Sequence, residues 1–162
     1  MEKIKWIEEA IDRATQAACT DGYERALEWL TPLLFDEPGY GRLHLALADL
    51  YYRYADEPKP AEKHYRMAIY FDPSLSGAYD GLVAILKEES RHEETIRLCE
   101  SGLKARKANK ADLQRMLGQA WELKRKCRRA IRHYRKALRH SAELYRCLTL
   151  EECINRCKRK QQ

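Results

Sequence analysis

The segment AEKHYRMAIYFDP, residues 61–73, sets small and aromatic side chains at helical spacing and then ends in a proline. Ala61, Tyr65 and Ala68 fall on one face of a helix, because side chains three and four residues apart are neighbours there. Small residues let two crossing helix backbones approach, and an aromatic ring fills the space beside them. The segment therefore predicts a helix that packs closely against its neighbours and stops before Pro73.

The same pattern recurs along the chain at intervals of 34 or 35 residues. Its four sets of small or apolar residues are Ala26, Leu30 and Leu33; Ala61, Tyr65 and Ala68; Thr95, Cys99 and Gly102; and Ala130, Tyr134 and Ala137. Upstream of the last three sets, a second helical segment carries Leu47, Ala48 and Tyr51; Leu82, Val83 and Leu86; or Leu117, Gly118 and Trp121. Turn-prone or charged residues separate the two segments, which predicts repeated helix–turn–helix units.

This arrangement resembles the tetratricopeptide repeat, whose unit of 34 residues carries small and aromatic residues at these places and a closing proline. The resemblance covers about residues 20–160 and is strongest over residues 40–73. It implies an all-α fold, a right-handed α-solenoid of about four helix–turn–helix units plus a C-terminal capping helix. We expect a single domain over residues 1–162, with repeats at about 4–38, 40–73, 74–107 and 108–141 and the capping helix at 142–160.

Two repeats depart from the family pattern. The third has Thr95, Cys99, Gly102 and Lys107 where the family prefers alanine, an aromatic residue, alanine and proline. The first matches only on its second helix, within DGYERALEWL, so its first helix is expected to be a degenerate cap. Pentatricopeptide repeats, which read RNA, have a similar period, but the alanine and aromatic signature favours the tetratricopeptide interpretation.

The charges of the chain are divided unevenly along its 162 residues. Residues 1–103 hold 12 Lys and Arg against 20 Asp and Glu, whereas residues 104–162 hold 19 against 5. Such a field steers an acidic partner or nucleic acid toward the basic end, and it favours weak head-to-tail self-contact at low salt. We otherwise expect a monomer.

The sequence predicts a cytoplasmic protein without membrane association. The stretch MEKIKWIEEAIDRA mixes charges into its apolar residues, unlike a signal peptide, and no later stretch approaches the roughly 18 apolar residues of a spanning helix. The 6 cysteines are accordingly expected to be reduced thiols.

The resemblance implies that the first helices of the repeats line a concave groove that binds a peptide or helix of another protein. Tyr52 is the expected aromatic anchor, with a side chain that can be truncated without loss of the fold. The lysine and asparagine clamp of chaperone-binding relatives is not predicted, because Asp49 and Asp80 stand at two of its positions. The alternative is that the groove residues are merely solvated polar side chains. The residues expected to face the groove are Arg42, Asp49, Tyr52, Arg53, Asp80, Lys87, Arg115, Gln119 and Glu122.

A basic run, KRKCRRAIRHYRKALRH, covers residues 124–140. Its helical spacing predicts a basic stripe of Arg125, Arg128, Arg129, Arg132, Arg135, Lys136 and Arg139. Three interpretations stay open: a solvated outer face, a surface that docks on an acidic protein, and a set of phosphate contacts to nucleic acid. The run lacks exposed aromatic residues for base stacking, since Tyr134 belongs to the repeat core.

Catalysis and metal binding have no positive signal. Cys153 and Cys157 are four residues apart, but a structural zinc site needs four ligands, and neither a CxxC pair nor an HxxxH pair is present. The 5 histidines are scattered, and no glycine-rich loop suited to phosphate occurs. Cys99 occupies a packing position, where a reactive thiolate would be desolvated. We predict no metal, no cofactor and no enzymatic activity.

The predicted function is therefore that of a protein–protein interaction scaffold or adaptor, which binds a peptide or helix of a partner in its concave groove. The alternative is a nucleic-acid-associated protein that uses the basic C-terminal face.

Overall fold

The computed structural model describes residues 2–20, 22–141 and 143–160, and their regular structure is entirely helical, which confirms the all-α prediction. The chain divides into two compact units, residues 1–85 and residues 86–162. The helices are α1 (Glu2–Thr20), α2 (Tyr23–Leu30), α3 (Leu33–Asp36), α4 (Gly41–Arg53), α5 (Pro58–Phe71), α6 (Ser76–Glu88), α7 (His92–Gly102), α8 (Lys110–Leu123), α9 (Cys127–His140) and α10 (Leu144–Arg159).

The repeated small and aromatic residues form the interior, as the spacing predicts. Tyr65 and Tyr134 are fully buried, and the alanines that flank them on α5 and α9 are buried as completely. In unit 1, α4 packs on α5 and α1 packs on α2; in unit 2, α8 packs on α9, and α7 and α10 pack on this pair. The predicted close pairing of helices is therefore confirmed within each unit.

The buried tyrosines lie on glycines. A Cβ atom built on Gly118 of α8 would lie 2.5 Å from ring atoms of Tyr134, and one built on Gly81 of α6 would overlap the ring of Tyr65 still more closely. Each ring thus occupies space that a side chain on the facing helix would fill. The absence of a Cβ at these two positions sets how closely the helices and the rings approach.

One left-handed residue recurs before the second helix of each predicted repeat. In the last of these turns, the Lys126 N–H donates to the Trp121 carbonyl at 2.9 Å, which is the closing bond of a Schellman motif. Only the first of the four residues is a glycine, so the other three hold a conformation that costs a residue with a side chain some free energy. The four residues, with their φ angles, are Gly22 (99°), Asp56 (53°), Ser90 (58°) and Arg125 (57°).

The second helix of the first repeat differs from the prediction, because it is broken. Helix α2 ends at Leu30 and α3 begins at Leu33. Pro32 has no N–H to donate, and the backbone continues through a tighter bond from the Phe35 N–H to the Pro32 carbonyl at 3.1 Å. Leu33 is still buried, so the packing position survives the break.

The predicted capping helix is α10. Leu150, Ile154 and Cys157 of α10 are buried and pack in one cluster with the apolar face of α9, which includes Ile131. Its predicted first residue, Ala142, lies outside the part of the chain that the structure describes.

A histidine pair, with His44 buried and His64 half-buried, joins α4 to α5 in unit 1. The Nδ1 atoms of His44 and His64 are 3.0 Å apart, and Nε2 of His44 donates to the Pro38 carbonyl at 2.9 Å. Because a carbonyl only accepts, His44 carries its proton on Nε2, and His64 must be the donor between the two rings. His44 stacks on Phe71 and His64 stacks on Tyr51. Burial, followed by the charges of His44 and Lys63, lowers the pKa of His64 to about 4.

Gly118→Ala is expected to destabilise the protein by about 1–3 kcal/mol, because the overlap with the Tyr134 ring outweighs the roughly 1 kcal/mol that alanine contributes to a helix. Gly77→Ala in α6 is the matched control, since its Cβ would meet Leu45 at an ordinary 3.6 Å. Urea denaturation of both variants checks this. Equal or greater stability of Gly118→Ala would show that the ring does not need the glycine.

The histidine pair predicts a loss of stability in mild acid. As the pH falls from 7, the unfolded chain protonates His64 near its ordinary pKa of 6.5, whereas the folded chain does so only near pH 4. The free energy of unfolding therefore decreases over that window, by on the order of 2–3 kcal/mol. His64→Phe should flatten this slope, and His140→Gln, which alters an exposed histidine, should not. Urea denaturation between pH 7 and 5 separates the two outcomes; identical slopes in wild type and His64→Phe would contradict the assignment.

Candidate functional site

A surface cavity of about 390 Å³ lies along α8 in unit 2 and gathers four of the residues predicted to face a ligand. The buried face of α8 carries Leu113, Met116 and Leu117, so residues 119, 122 and 123 project from other sides of the helix. We name this space the α8 cavity. Its lining consists of Lys87 of α6, Gln119, Glu122 and Leu123 of α8, Arg125 of the following turn, and Arg156 and Lys160 at the end of the chain's last described segment.

Glu122 is the electrostatic centre of the α8 cavity. Its carboxylate, 9% exposed, accepts two hydrogen bonds from Arg156 at 2.7 and 2.9 Å and one from the Lys160 ammonium at 2.8 Å. The buried Tyr134 hydroxyl donates a further bond at 3.0 Å. The hydrogen bond from Arg156, then those from Lys160 and Tyr134, lower the pKa of Glu122 to about 2 against the opposing effect of burial.

These contacts show that Glu122, although it lines the α8 cavity, already has partners within the chain. Its charge is neutralised within the chain by a bidentate arginine and a lysine, and it holds α10 against α8 and α9. A carboxylate satisfied in this way has little capacity left for a ligand. Around it, Leu123 is 46% exposed, and Gln119 and Lys87 are also exposed.

Arg115, the remaining predicted groove residue of unit 2, lies outside the α8 cavity lining. It is half-buried on α8, and its guanidinium lies 3.8 Å from the carboxylate of Asp112. Asp112 also pairs with Arg146 of α10 at 3.3 Å. Arg115 therefore belongs to a network of charges between α8 and α10.

In unit 1, three of the predicted groove residues surround the Tyr65 hydroxyl. That hydroxyl donates to Asp49 at 2.7 Å, and Arg53 pairs with the same carboxylate oxygen at 3.3 Å. The ring of Tyr52 meets the ring of Tyr65 edge-on, with centroids 6.4 Å apart. Tyr52 is half-buried in this contact, so the expectation that its truncation leaves stability unchanged is not supported.

The other two predicted residues of unit 1 are exposed. Arg42 pairs with Glu8 of α1 at 2.9 Å, and the Tyr40 hydroxyl donates to the same carboxylate. Asp80 lies exposed on α6.

Six members of the predicted basic stripe lie exposed on α9, opposite the buried Ala130, Tyr134 and Ala137. Arg125, the seventh predicted member, does not lie on this helix face. Helix α9 begins only at Cys127, and Arg125 occupies the left-handed position of the preceding turn, which directs it away from the helical register. The six are Arg128, Arg129, Arg132, Arg135, Lys136 and Arg139.

A second cavity of about 380 Å³ in unit 2 lies at the beginning of α9, and we name it the α9 cavity. It shares Arg125 and Lys160 with the α8 cavity. Beside it, the guanidinium of Arg129 lies 4.5 Å from the centre of the Trp121 ring, a cation–π contact. The residues that line it are Arg125, Lys126, Cys127, Arg128, Arg129 and Lys160.

Sequence reasoning missed five residues that line these cavities: Leu123, Lys126, Cys127, Arg156 and Lys160. Arg156 and Lys160 are four residues apart, and this spacing was a usable signal that both project from one face. Their contact with Glu122, 34 and 38 residues away, depends on how α10 packs. Leu123 ends α8 with an exposed apolar side chain, which its sequence neighbours do not reveal.

A third cavity, of about 320 Å³, lies in unit 1 between α1, α2 and α3. Its walls include Trp6 and Trp29, which are 52% and 42% exposed, with Glu9 and Arg13 also in the lining. The guanidinium of Arg25 lies 5.2 Å from the centre of the Trp29 ring. This is an aromatic surface with charges of both signs around it.

Within the described residues, no three histidine, cysteine or acidic side chains are grouped closely enough to hold a metal ion. Among the helices that the structure describes, none combines the length and apolar character needed to cross a membrane.

Glu122→Gln is expected to loosen α10 and to lower the free energy of unfolding by about 1–2 kcal/mol, because the neutral amide loses the charge-assisted bonds to Arg156 and Lys160. Urea denaturation and hydrogen exchange of the α10 amides measure the two effects. Glu152→Gln, the same chemical change at an exposed position of α10, is the control. Equal α10 protection in both variants would mean that Glu122 does not hold the helix.

A scan against protein-family models finds no match, and a search of curated proteins finds none either. Solved structures do match. The structure of PilF from Pseudomonas aeruginosa shares 19% identity over 99% of this chain and 71% of its own, with a TM-score of 0.78. A crystal structure of MamA shares 14% identity over 91% of this chain and 94% of its own, with a TM-score of 0.64. A second MamA structure has a TM-score of 0.61, 16% identity and coverage of 99% and 88%. At these identities the similarity is one of fold.

Proposed function

We propose that this chain, whose fold is that of the tetratricopeptide-repeat proteins, is a non-catalytic scaffold that binds a segment of another protein on the faces of its first helices. Proteins of this fold suggest a role in protein–protein interaction. We assign the binding site for the partner's segment to the α8 cavity, since α8 is the first helix of the fourth predicted repeat.

The composition of the α8 cavity carries this proposal. Leu123 offers an exposed apolar surface, the Gln119 side chain offers both a donor and an acceptor for a peptide backbone, and Lys87 and Arg125 supply charge. Peptide recognition commonly combines an apolar anchor, which supplies affinity, with polar groups that fix direction. The cavity has these parts within a space large enough for one or two side chains.

In unit 1 we assign further partner contacts to the exposed side chains of Arg42, Arg53 and Asp80. Asp49 and Tyr52 both contact Tyr65, so their effect on partner binding is indirect. We also propose a cytoplasmic location, supported by the free thiols of all 6 cysteines, of which Cys99, Cys127 and Cys157 are buried.

The test is selection of peptides from a random library of 12-residue sequences on the immobilised intact chain, followed by fluorescence anisotropy with the selected peptides. Leu123→Ser should weaken their binding about tenfold, the effect of removing one apolar anchor. Leu148→Ser is the matched control, because Leu148 is 51% exposed on α10 and lines neither cavity of unit 2.

Circular dichroism should be the same for both variants and wild type. Failure to select any peptide, or equal effects of the two substitutions, would contradict the proposed function. Binding of a 20-nucleotide RNA or DNA in place of peptides would favour the nucleic-acid alternative.

A further inference from the structure

Several carboxylates of unit 2 have cationic partners within the chain. Glu122 binds Arg156 and Lys160, and Glu93 binds Lys124 across α7 and α8. Because unit 2 holds many more basic than acidic residues, some of its basic side chains have no acidic partner. The cations that remain unsatisfied indicate what the surface can bind.

Three of the remaining cations are neighbours in the chain: Arg125, Lys126 and Arg128. None of the described carboxylates forms an ion pair or a side-chain hydrogen bond with any of them. All three line the α9 cavity, whose lining holds five basic side chains and no acidic one. Like charges held this close repel one another, and an anionic group placed among them relieves that repulsion.

The backbone adds to the same field. Helix α9 has 14 residues, and Lys126 at its N-cap forms no side-chain capping bond. The N–H groups of Cys127 and Arg128, the first two of α9, therefore have no partner inside the helix and present a partial positive charge beside the basic side chains. The N-terminus only reinforces the side chains that already line the cavity.

The two cavities of unit 2 adjoin at Arg125 and Lys160, which line both. At the α9 end, every lining residue except Cys127 is basic. At the α8 end, the lining adds the apolar Leu123 and the amide of Gln119. A ligand that spans both cavities therefore needs negative charge at one end and an apolar group at the other.

We propose that this joined surface binds an acidic segment of a partner protein, with its carboxylates at Arg125, Lys126 and Arg128 and an apolar side chain on Leu123. This inference rests on the proposed function and names the chemistry of the partner. The chain itself contains an example of an arginine that binds a carboxylate. Arg156 donates two hydrogen bonds to the Glu122 carboxylate at the edge of the same cavity.

A protein partner fits this surface better than nucleic acid does. Single-stranded nucleic acid is bound through basic grooves with aromatic rings on which bases stack. Near these cavities, the Trp121 ring is covered by Arg129 and approached by Lys124 at 5.4 Å, and Tyr134 is fully buried. At the α8 end, the exposed apolar side chain is the aliphatic Leu123, which suits an aliphatic or aromatic residue of a peptide.

The test uses a fluorescein-labelled peptide of eight residues in which Glu and Leu alternate, and measures its anisotropy with the intact chain in 150 mM salt. Arg125→Glu/Arg128→Glu should weaken binding by at least about tenfold, because both reversed charges face the peptide carboxylates. The matched control is Arg135→Glu/Arg139→Glu, which changes the net charge equally on exposed residues of α9 that line neither cavity. It should weaken binding less than about threefold, through long-range attraction that salt largely screens.

Arg125→Gln/Arg128→Gln removes the charges without reversing them and should give an intermediate loss. A peptide in which Gln replaces every Glu should bind at least about tenfold more weakly than the acidic peptide. Thermal melting of each variant shows whether the fold is retained.

Three results would overturn the inference: equal losses in the two reversed pairs, equal binding of the Glu and Gln peptides, or preferential binding of a 20-nucleotide single strand. If library peptides still depend on Leu123 while the charge reversals have no effect, the scaffold function stands and only the acidic partner is wrong. If no peptide depends on Leu123, the scaffold function fails first.

Discussion

Close contact between a tyrosine ring and the backbone of a facing helix, at a residue without a side chain, sets the arrangement of both units. Tyr134 lies on Gly118 in this way, and Tyr65 lies on Gly81. A ring can be fully buried there because nothing else fills the space above the glycine. The contact also has a polar end, since the hydroxyl of Tyr134 reaches the edge of the core and donates to Glu122. A packing contact in the interior thereby fixes the position of a charge at the surface.

That charge determines which cations are available to a ligand. Glu122 draws Arg156 and Lys160 of the α10 segment toward α8 and satisfies both. Arg125 and Lys126, in the turn between α8 and α9, have no such partner among the described acids. The surface therefore combines a carboxylate that is already neutralised with cations that are not. The anionic ligand that we propose for this surface follows from which internal ion pairs form, more than from the net charge of the chain.

The repeat architecture could be predicted from the sequence because it depends on local quantities, namely the size of side chains and their spacing along a helix. Ala61, Tyr65 and Ala68 are all fully buried, as their pattern indicates. The break at Pro32 was equally local, but the apolar residues on both sides of it continued the helical period and hid it. Local patterns identify which residues are buried better than they identify where each helix ends.

The site was harder to predict, since it depends on contacts between residues distant in sequence. Glu122 was predicted to face a groove, and only the packing of α10 shows that Arg156 neutralises its charge. Arg125 has the spacing of the α9 face, yet it lies in a turn because the helix begins two residues later. Both departures arise from tertiary hydrogen bonds and chain reversal, which spacing along one helix does not encode.

A charge-swap cycle tests the assignment of the basic surface to an acidic partner. Binding would be measured for wild type and Arg125→Glu, each with the Glu and Leu peptide and with a peptide in which one Glu is replaced by Lys. If the side chains meet, the Lys peptide should bind Arg125→Glu at least about threefold better than the separate effects of the two changes predict. The Lys would be placed at each Glu position of the peptide in turn. If the effects of the two changes were additive at every position, direct contact between Arg125 and the peptide would be contradicted.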